Sequence, residues 1–201
     1  MVAYLRHQFA FLGVSSQARK EIVRLFRPKI KKISPDEAAR FAIHCWDQPH
    51  REMQYVAMEL FANFAQNPDA NTLNTCRHLI THKSWWDTVD YIAPNIAGKF
   101  WMKYPSHIQP VTTQWMDSGN LWLQRSCLLF QLKYKDKLDF DLLRSFIEPL
   151  TTHPDFFIRK AIGWSLRSYA RYNSEAVLQL INTIPLHPLS RREAMKHLRG
   201  C

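Results

Sequence analysis

At 201 residues, 46% of them hydrophobic with seven Trp and twelve Phe but only five Gly, the chain can bury a core as one ordinary domain and is too apolar to be disordered. A formal net charge of +10 and a pI near 9.6 favour a polyanionic partner, nucleic acid before an anionic membrane, and no apolar run reaches membrane-spanning length. Cys45, Cys76, Cys127 and Cys201 lack CxxC spacing, and the first three fall on apolar helical positions. Neither a zinc site nor a disulfide framework is indicated, which fits a reducing cytoplasm, and the N-terminus, interrupted by Arg6 and His7, has no signal-peptide core.

Residues 4–12 form an aromatic-rich opening that ends at Gly13. A helix is predicted from Ser15 or Ser16 with Ala18, Ile22, Leu25 and Phe26 inward, followed by a basic turn of Arg27, Lys29, Lys31 and Lys32. Ser34-Pro35-Asp36-Glu37 then combines an N-cap, Pro at the first helical position and a capping-box Glu. Ala38, Phe41, Ala42, Cys45 and Trp46 continue that helix until Pro49 closes it. Met53, Ala57, Leu60, Phe61 and Phe64 give the next helix, and Leu73, Cys76, Leu79 and Ile80 another. His78 and His82 lie four apart, but without HExxH or a third ligand no metal is expected.

Ser84 and Asp87 read as a second capping box, which gives Asp87 a structural task. Trp85, Val89, Ile92 and Ile96 share one apolar helix face, while Trp86 and Asp90, four apart, form a neighbouring stripe. Asp90 lies beyond the first turn, where the helix dipole no longer favours a carboxylate, and no Lys or Arg stands three or four residues away. A carboxylate beside an indole with no evident local task is a candidate site; an exposed Asp next to a half-buried Trp is the plain alternative. Pro94 should kink this helix or end its first half, and Pro105 and Pro110 punctuate the segment after it.

Leu121, Trp122, Leu123, Cys127, Phe130 and Leu132 mark a further helix that carries Arg125 and leads to Lys133, Lys135 and Lys137, where cations complement the dipole or meet phosphates. Leu142, Leu143, Phe146, Ile147 and Leu150 make one more. Phe157, Ile158, Ala161, Ile162, Leu166 and Tyr169 make its successor, interleaved with Arg159, Lys160, Arg167 and Arg171 and carrying Trp164. Ser174 opens a short helix through Ile181, and Ser190-Arg191-Arg192-Glu193 reads as a third capping box. With no period-2 pattern anywhere, the fold class is all-α. Similar segments starting at Gln54, Arg125 and Arg159 suit a helix-pair repeat of roughly 35 residues, and such repeats stack into an α-solenoid whose concave face would here be basic. Residues 1–201 are read as a single domain of this kind.

Trp86, Asp90, Arg125 and Trp164, within KSWWDTVD, WLQRSCLLFQLKYK and FFIRKAIGWSLR, closely resemble the AlkD-like branch of the DNA alkylation repair family. Its members are HEAT-like-repeat DNA glycosylases for alkylated purines, and the resemblance runs from Tyr4 and Phe11-Leu12-Gly13 to Leu189-Ser190-Arg191-Arg192-Glu193-Ala194. It implies a monomeric, cofactor-free HEAT-like solenoid that grips alkylated double-stranded DNA and no membrane, in a bacterial cytoplasm and on the nucleoid when DNA is bound. It also implies hydrolysis of the N-glycosidic bond of cationic N3- or N7-alkylpurines without base flipping. A cationic purine leaves readily, so an unprotonated carboxylate near aromatic faces suffices to stabilise an oxocarbenium-like sugar and place a water.

Carried over by residue, Asp90 would be that carboxylate, Trp86 and Trp164 the aromatic walls, Tyr4 an aromatic neighbour and Arg125 a phosphate anchor. Lys133, Arg159, Lys160, Arg191 and Arg192 join the expected DNA contacts. The family's active members carry helices upstream of the Tyr4 position that approach the minor groove, whereas this sequence opens at Met1. The expectation is therefore a protein that keeps the catalytic residues, binds DNA weakly and excises little or nothing. An active monofunctional glycosylase is the alternative, and a HEAT-type protein-interaction scaffold the second.

Overall fold

The computed structural model describes residues 3–30, 33–64 and 71–197, so Lys31, Lys32 and Cys201 lie outside the described residues, as do the side chains of Arg27 and Phe64. The fold is all-α. Among the described residues the only extended pairing is an isolated bridge between Ala10 and His50, and no helix is long and apolar enough to cross a membrane. The chain divides into two compact units, Met1–Ile92 and Ala93–Cys201.

The first unit contains α1 (Ser16–Ile30), α2 (Pro35–Asp47), α3 (Arg51–Phe64), α4 (Thr72–Thr81) and α5 (Trp86–Ile92). Ser15 caps α1 by accepting the Ala18 N–H at 3.1 Å. The Ser34–Glu37 capping box forms as read, with both reciprocal bonds present. Ala38, Ala42, Cys45 and Trp46 of α2 and Leu73, Cys76, Leu79 and Ile80 of α4 are buried, and α2 packs on both α3 and α4. Phe41 instead stays on the surface.

α1 departs from its expected orientation. Ile22, Leu25 and Phe26 are 51, 73 and 51% exposed, and Val23 is the buried contact of that helix. Helical spacing groups these three residues correctly on one stripe, but the contact with α3 runs along the adjacent stripe through Arg19 and Val23.

α5 stops at Ile92, and a π-turn, Ala93–Ala97, opens the second unit. Pro94 lies inside that turn and has no N–H to continue an α-helical ladder, which is the interruption expected of it. The unit continues through α6 (Gly98–Lys103), α7 (Ile108–Asp117), α8 (Leu121–Leu129), α9 (Phe140–Ile147), α10 (Phe156–Tyr169), α11 (Ser174–Thr183) and α12 (Pro188–Ala194), with 3-10 turns between several of them. Asn120, Asp139, Asp155 and Asn173 cap α8, α9, α10 and α11 through side-chain oxygens on free backbone N–H groups. Trp101, Phe130, Ile147, Ile158 and Leu166 anchor the core, with Trp101 edge-on to Phe130 at 4.6 Å.

Two glycines permit close approach here. A Cβ on Gly98 would lie 2.4 Å from the Phe130 carbonyl oxygen, and one on Gly163 would lie 2.4 Å from the Glu193 Cβ and 2.8 Å from the Ser190 oxygen. α10 therefore seats directly against α12, where the Ser190 hydroxyl donates to the Arg159 carbonyl at 2.9 Å.

Candidate active site

Trp86 and Asp90 open and continue α5, and what holds this short helix is long-range. Arg51, at the first turn of α3, is fully buried. Its guanidinium grips Asp87 with two bonds, Nε to Oδ2 at 3.1 Å and Nη2 to Oδ1 at 2.6 Å. It also donates to the Lys83 carbonyl at 2.8 Å and the Thr88 hydroxyl at 3.0 Å. Tyr55, one turn along α3, donates its phenol to Asp87 at 2.7 Å; burial, then the hydrogen bond and charge of Asp87, push that phenol's pKa up.

Asp87 thus has the structural task expected of it, through different partners. α5 begins at Trp86, which takes Ser84 out of the N-cap position, and the Ser84 hydroxyl donates to the Ile80 carbonyl at 2.6 Å; the local Ser84–Asp87 capping box does not form. A fixed guanidinium fork satisfies both oxygens of a carboxylate at once, and a single capping N–H does not. The loop before α5 is held as well. Lys83, with φ at 48°, donates its ammonium to the carbonyls of Asp47 and Gln48 at the end of α2, and the Trp46 indole donates to the His82 carbonyl at 2.7 Å.

Val89 and Ile92 of α5 are fully buried, as their apolar face required; Trp85, expected in the core on that face, precedes the helix and is only half-buried, as are Trp86 and Asp90. Tyr4 is 67% exposed and meets Trp86 edge-on, ring centroids 5.1 Å apart. Tyr4, Trp86 and Asp90 are therefore brought together on the first unit. His78 and His82 stack at 4.0 Å, and among the described residues no group of three His, Cys, Asp or Glu could hold a metal.

On the second unit Trp164 is half-buried on α10, one residue after the glycine that meets α12. A family model described as DNA alkylation repair enzyme matches residues 1–198. The chain belongs to that family. It is 29% identical to a predicted DNA alkylation repair enzyme from Enterococcus faecalis, with a TM-score of 0.93 over 100% of this chain and 94% of that one. AlkD2 from Streptococcus mutans, at 16% identity, shares the fold with a TM-score of 0.70 over 98% of this chain and 96% of its own. None of the curated proteins compared matches the chain.

For a DNA alkylation repair protein the cations decide the grip on phosphate, and here most of the expected ones engage acceptors inside the protein. Arg125 is 4% exposed; its guanidinium donates to the Phe157 carbonyl and lies 5.9 Å from the Phe157 ring. Arg159 donates Nε to the His153 carbonyl at 2.9 Å. Lys133 reaches the Asn95 side chain at 2.5 Å. Arg191 donates to the Ile181 carbonyl and the Asn182 side chain.

Lys160 pairs with Glu193 at 2.9 Å, and Arg167 and Lys196 reach the same carboxylate at 2.9 and 2.8 Å. Burial alone would raise the Glu193 carboxyl, but hydrogen bonds from Lys196 and Lys160, with the charge of both lysines, hold its pKa at about 2. Glu193 accordingly does not complete a capping box with Ser190. α12 begins earlier, at Pro188, where the His187 ring accepts the Leu189 N–H at 3.1 Å. Arg192 is exposed.

Sequence reasoning missed Arg51 and gave Glu193 only a local capping task, whereas each holds charged or polar partners on other helices of its unit. For Arg51 there was a signal. Arg51, Gln54, Tyr55 and Met58 occupy one helical stripe of α3, and a charge on a stripe that continues into Tyr and Met marks a buried ion pair.

Proposed function

We propose that this protein is a duplex-DNA-binding member of the DNA alkylation repair family that keeps the alkylpurine-glycosylase residues but grips DNA weakly and excises little. DNA as substrate follows from the family. In this reading residues 1–201 act as one domain with a basic face toward DNA, Asp90 supplies the carboxylate that would stabilise an oxocarbenium-like sugar, and Trp86, Tyr4 and Trp164 supply aromatic surface for the lesion's deoxyribose and cationic base. The leaving purine carries its own positive charge, so the step needs no general acid and no cofactor.

The observation that carries the reading is the internal engagement of Arg125, Lys133, Arg159, Lys160 and Arg191. Each spends at least one donor inside the protein; a cation that must give up that hydrogen bond to reach a phosphate loses about 1 kcal/mol, roughly five-fold in affinity, while one that reaches it with a remaining N–H does not. An active glycosylase is the second reading, favoured by the buried Arg51 fork that fixes the helix carrying Trp86 and Asp90.

The test of weak grip is the salt dependence of duplex binding. Each neutralised phosphate contributes a slope of about −0.9 in log affinity against log salt, so the reading predicts a slope shallower than about −3. A slope of about −6 or steeper would mean that these cations turn outward to DNA and that the reading is wrong.

A further inference from the structure

Tyr4 faces solvent, and an edge-to-face ring contact is by itself too weak to order the segment that carries it. Two consecutive residues of α3 supply the rest. Glu52, 4% exposed, accepts three successive backbone N–H groups, those of Leu12, Gly13 and Val14, at 3.0, 2.9 and 3.2 Å. Gly13, with φ at +83°, gives the bend that aims all three at one carboxylate.

Arg51 holds the same segment from the other side. Its backbone N–H donates to the Ala10 carbonyl at 2.9 Å, and its guanidinium lies 3.8 Å from the Phe9 ring centroid while its fork binds Asp87. Further along, Leu5 is buried, and Arg6 and His7 take φ values of 53° and 59°, a backbone that non-glycine residues adopt only when their surroundings enforce it. The chain thereby returns Tyr4 to Trp86.

We propose that Arg51 and Glu52 are positioning residues: Arg51 seats the helix that carries Trp86 and Asp90, Glu52 seats the segment that carries Tyr4, and together they preform one aromatic wall beside Asp90. This rests on the reading of Trp86 and Asp90 as lesion-facing groups. A wall ordered in advance spares the complex the entropy of assembling it, so the contribution appears in binding to the lesion rather than in phosphate contacts.

The experiment uses the full chain labelled with 5-fluorotryptophan, in which seven fluorine resonances are expected and Trp86→Phe assigns one. Tyr4→Leu removes the neighbouring ring current and defines the shift for a lost contact. Glu52→Gln should move the Trp86 resonance at least half-way to that position, leave Trp101 and Trp115 unmoved, and lower affinity for a duplex containing 7-methylguanine by about tenfold without changing the salt slope. Glu52→Asp, which keeps the charge but withdraws the carboxylate by one methylene, should give a smaller shift of the same sign if the Gln variant does not fold. A Trp86 resonance unmoved in either folded variant overturns the positioning role. A moved resonance with unchanged affinity for the methylated duplex upholds the positioning and overturns the reading of Trp86 as a lesion-facing wall.

Discussion

Replacing Arg51 by Met should destabilise the protein by about 4 kcal/mol. The side chains of Arg51 and Asp87 are 0 and 10% exposed, and the fork makes two bonds to the carboxylate, one to the Lys83 carbonyl and one to Thr88. Removing one partner of such a pair leaves the other charge buried with too few partners, a loss of about 3–5 kcal/mol against a total stability of about 5–15 kcal/mol. Asp87→Asn should cost about 3 kcal/mol, because the guanidinium keeps its carbonyl and hydroxyl acceptors but loses its counter-charge. The double variant Arg51→Met with Asp87→Leu removes both charges at once and should cost at least 2 kcal/mol less than the two single losses together. Urea unfolding with the slope held in common reads these differences. If the single losses add in the double variant to within about 0.5 kcal/mol, the pair is not coupled and α5 is held by something else.

On the second unit Glu193 makes stability depend on acid. Its folded pKa of about 2 lies below the ordinary 4.5, so the stabilisation is fully present above pH 4.5 and fades as pH falls through that value toward 2. The shift is worth about 3 kcal/mol, and Glu193→Gln should lose roughly that at pH 7 and almost nothing near pH 2 by urea midpoints; a difference that stays constant with pH would contradict it. Gly163→Ala should gain about 1 kcal/mol of helix propensity yet lose about 2 kcal/mol net, because the new Cβ meets Glu193 and Ser190 at 2.4 and 2.8 Å; a melting temperature at or above wild type would contradict that contact.

What sequence made legible was local. The Ser34–Glu37 box, the buried stripe of α4, that of α2 apart from Phe41, and the break at Pro94 each depend on residues within one or two turns, and each formed as read. The boxes at Ser84 and Ser190 failed for a common reason. Both acidic residues, Asp87 and Glu193, found guanidinium or ammonium partners 26 to 36 residues away, except for Lys196 three residues on, and those charged donors outbid a lone backbone N–H.

Periodicity also cannot tell a covered stripe from an open one, which is why Ile22, Leu25 and Phe26 point outward. Arg125 illustrates the converse: a lone Arg on a helix reads as a surface cation, whereas it is 4% exposed with its guanidinium against the carbonyl and ring of Phe157, 32 residues further on. The Tyr4–Trp86 meeting was visible only through the family resemblance, because the Glu52 and Arg51 contacts that bring it about span 38 to 42 residues.

Whether this protein keeps the glycosylase residues yet uses them little is decided by single-turnover release of N7-methylguanine and N3-methyladenine from methylated duplex DNA, wild type beside Asp90→Asn. Release from both proteins should stay close to the spontaneous rate, with both folded. Release from wild type more than about a hundredfold above that rate, a transition-state stabilisation of roughly 3 kcal/mol, and its loss in Asp90→Asn, would overturn weak excision and establish an active glycosylase.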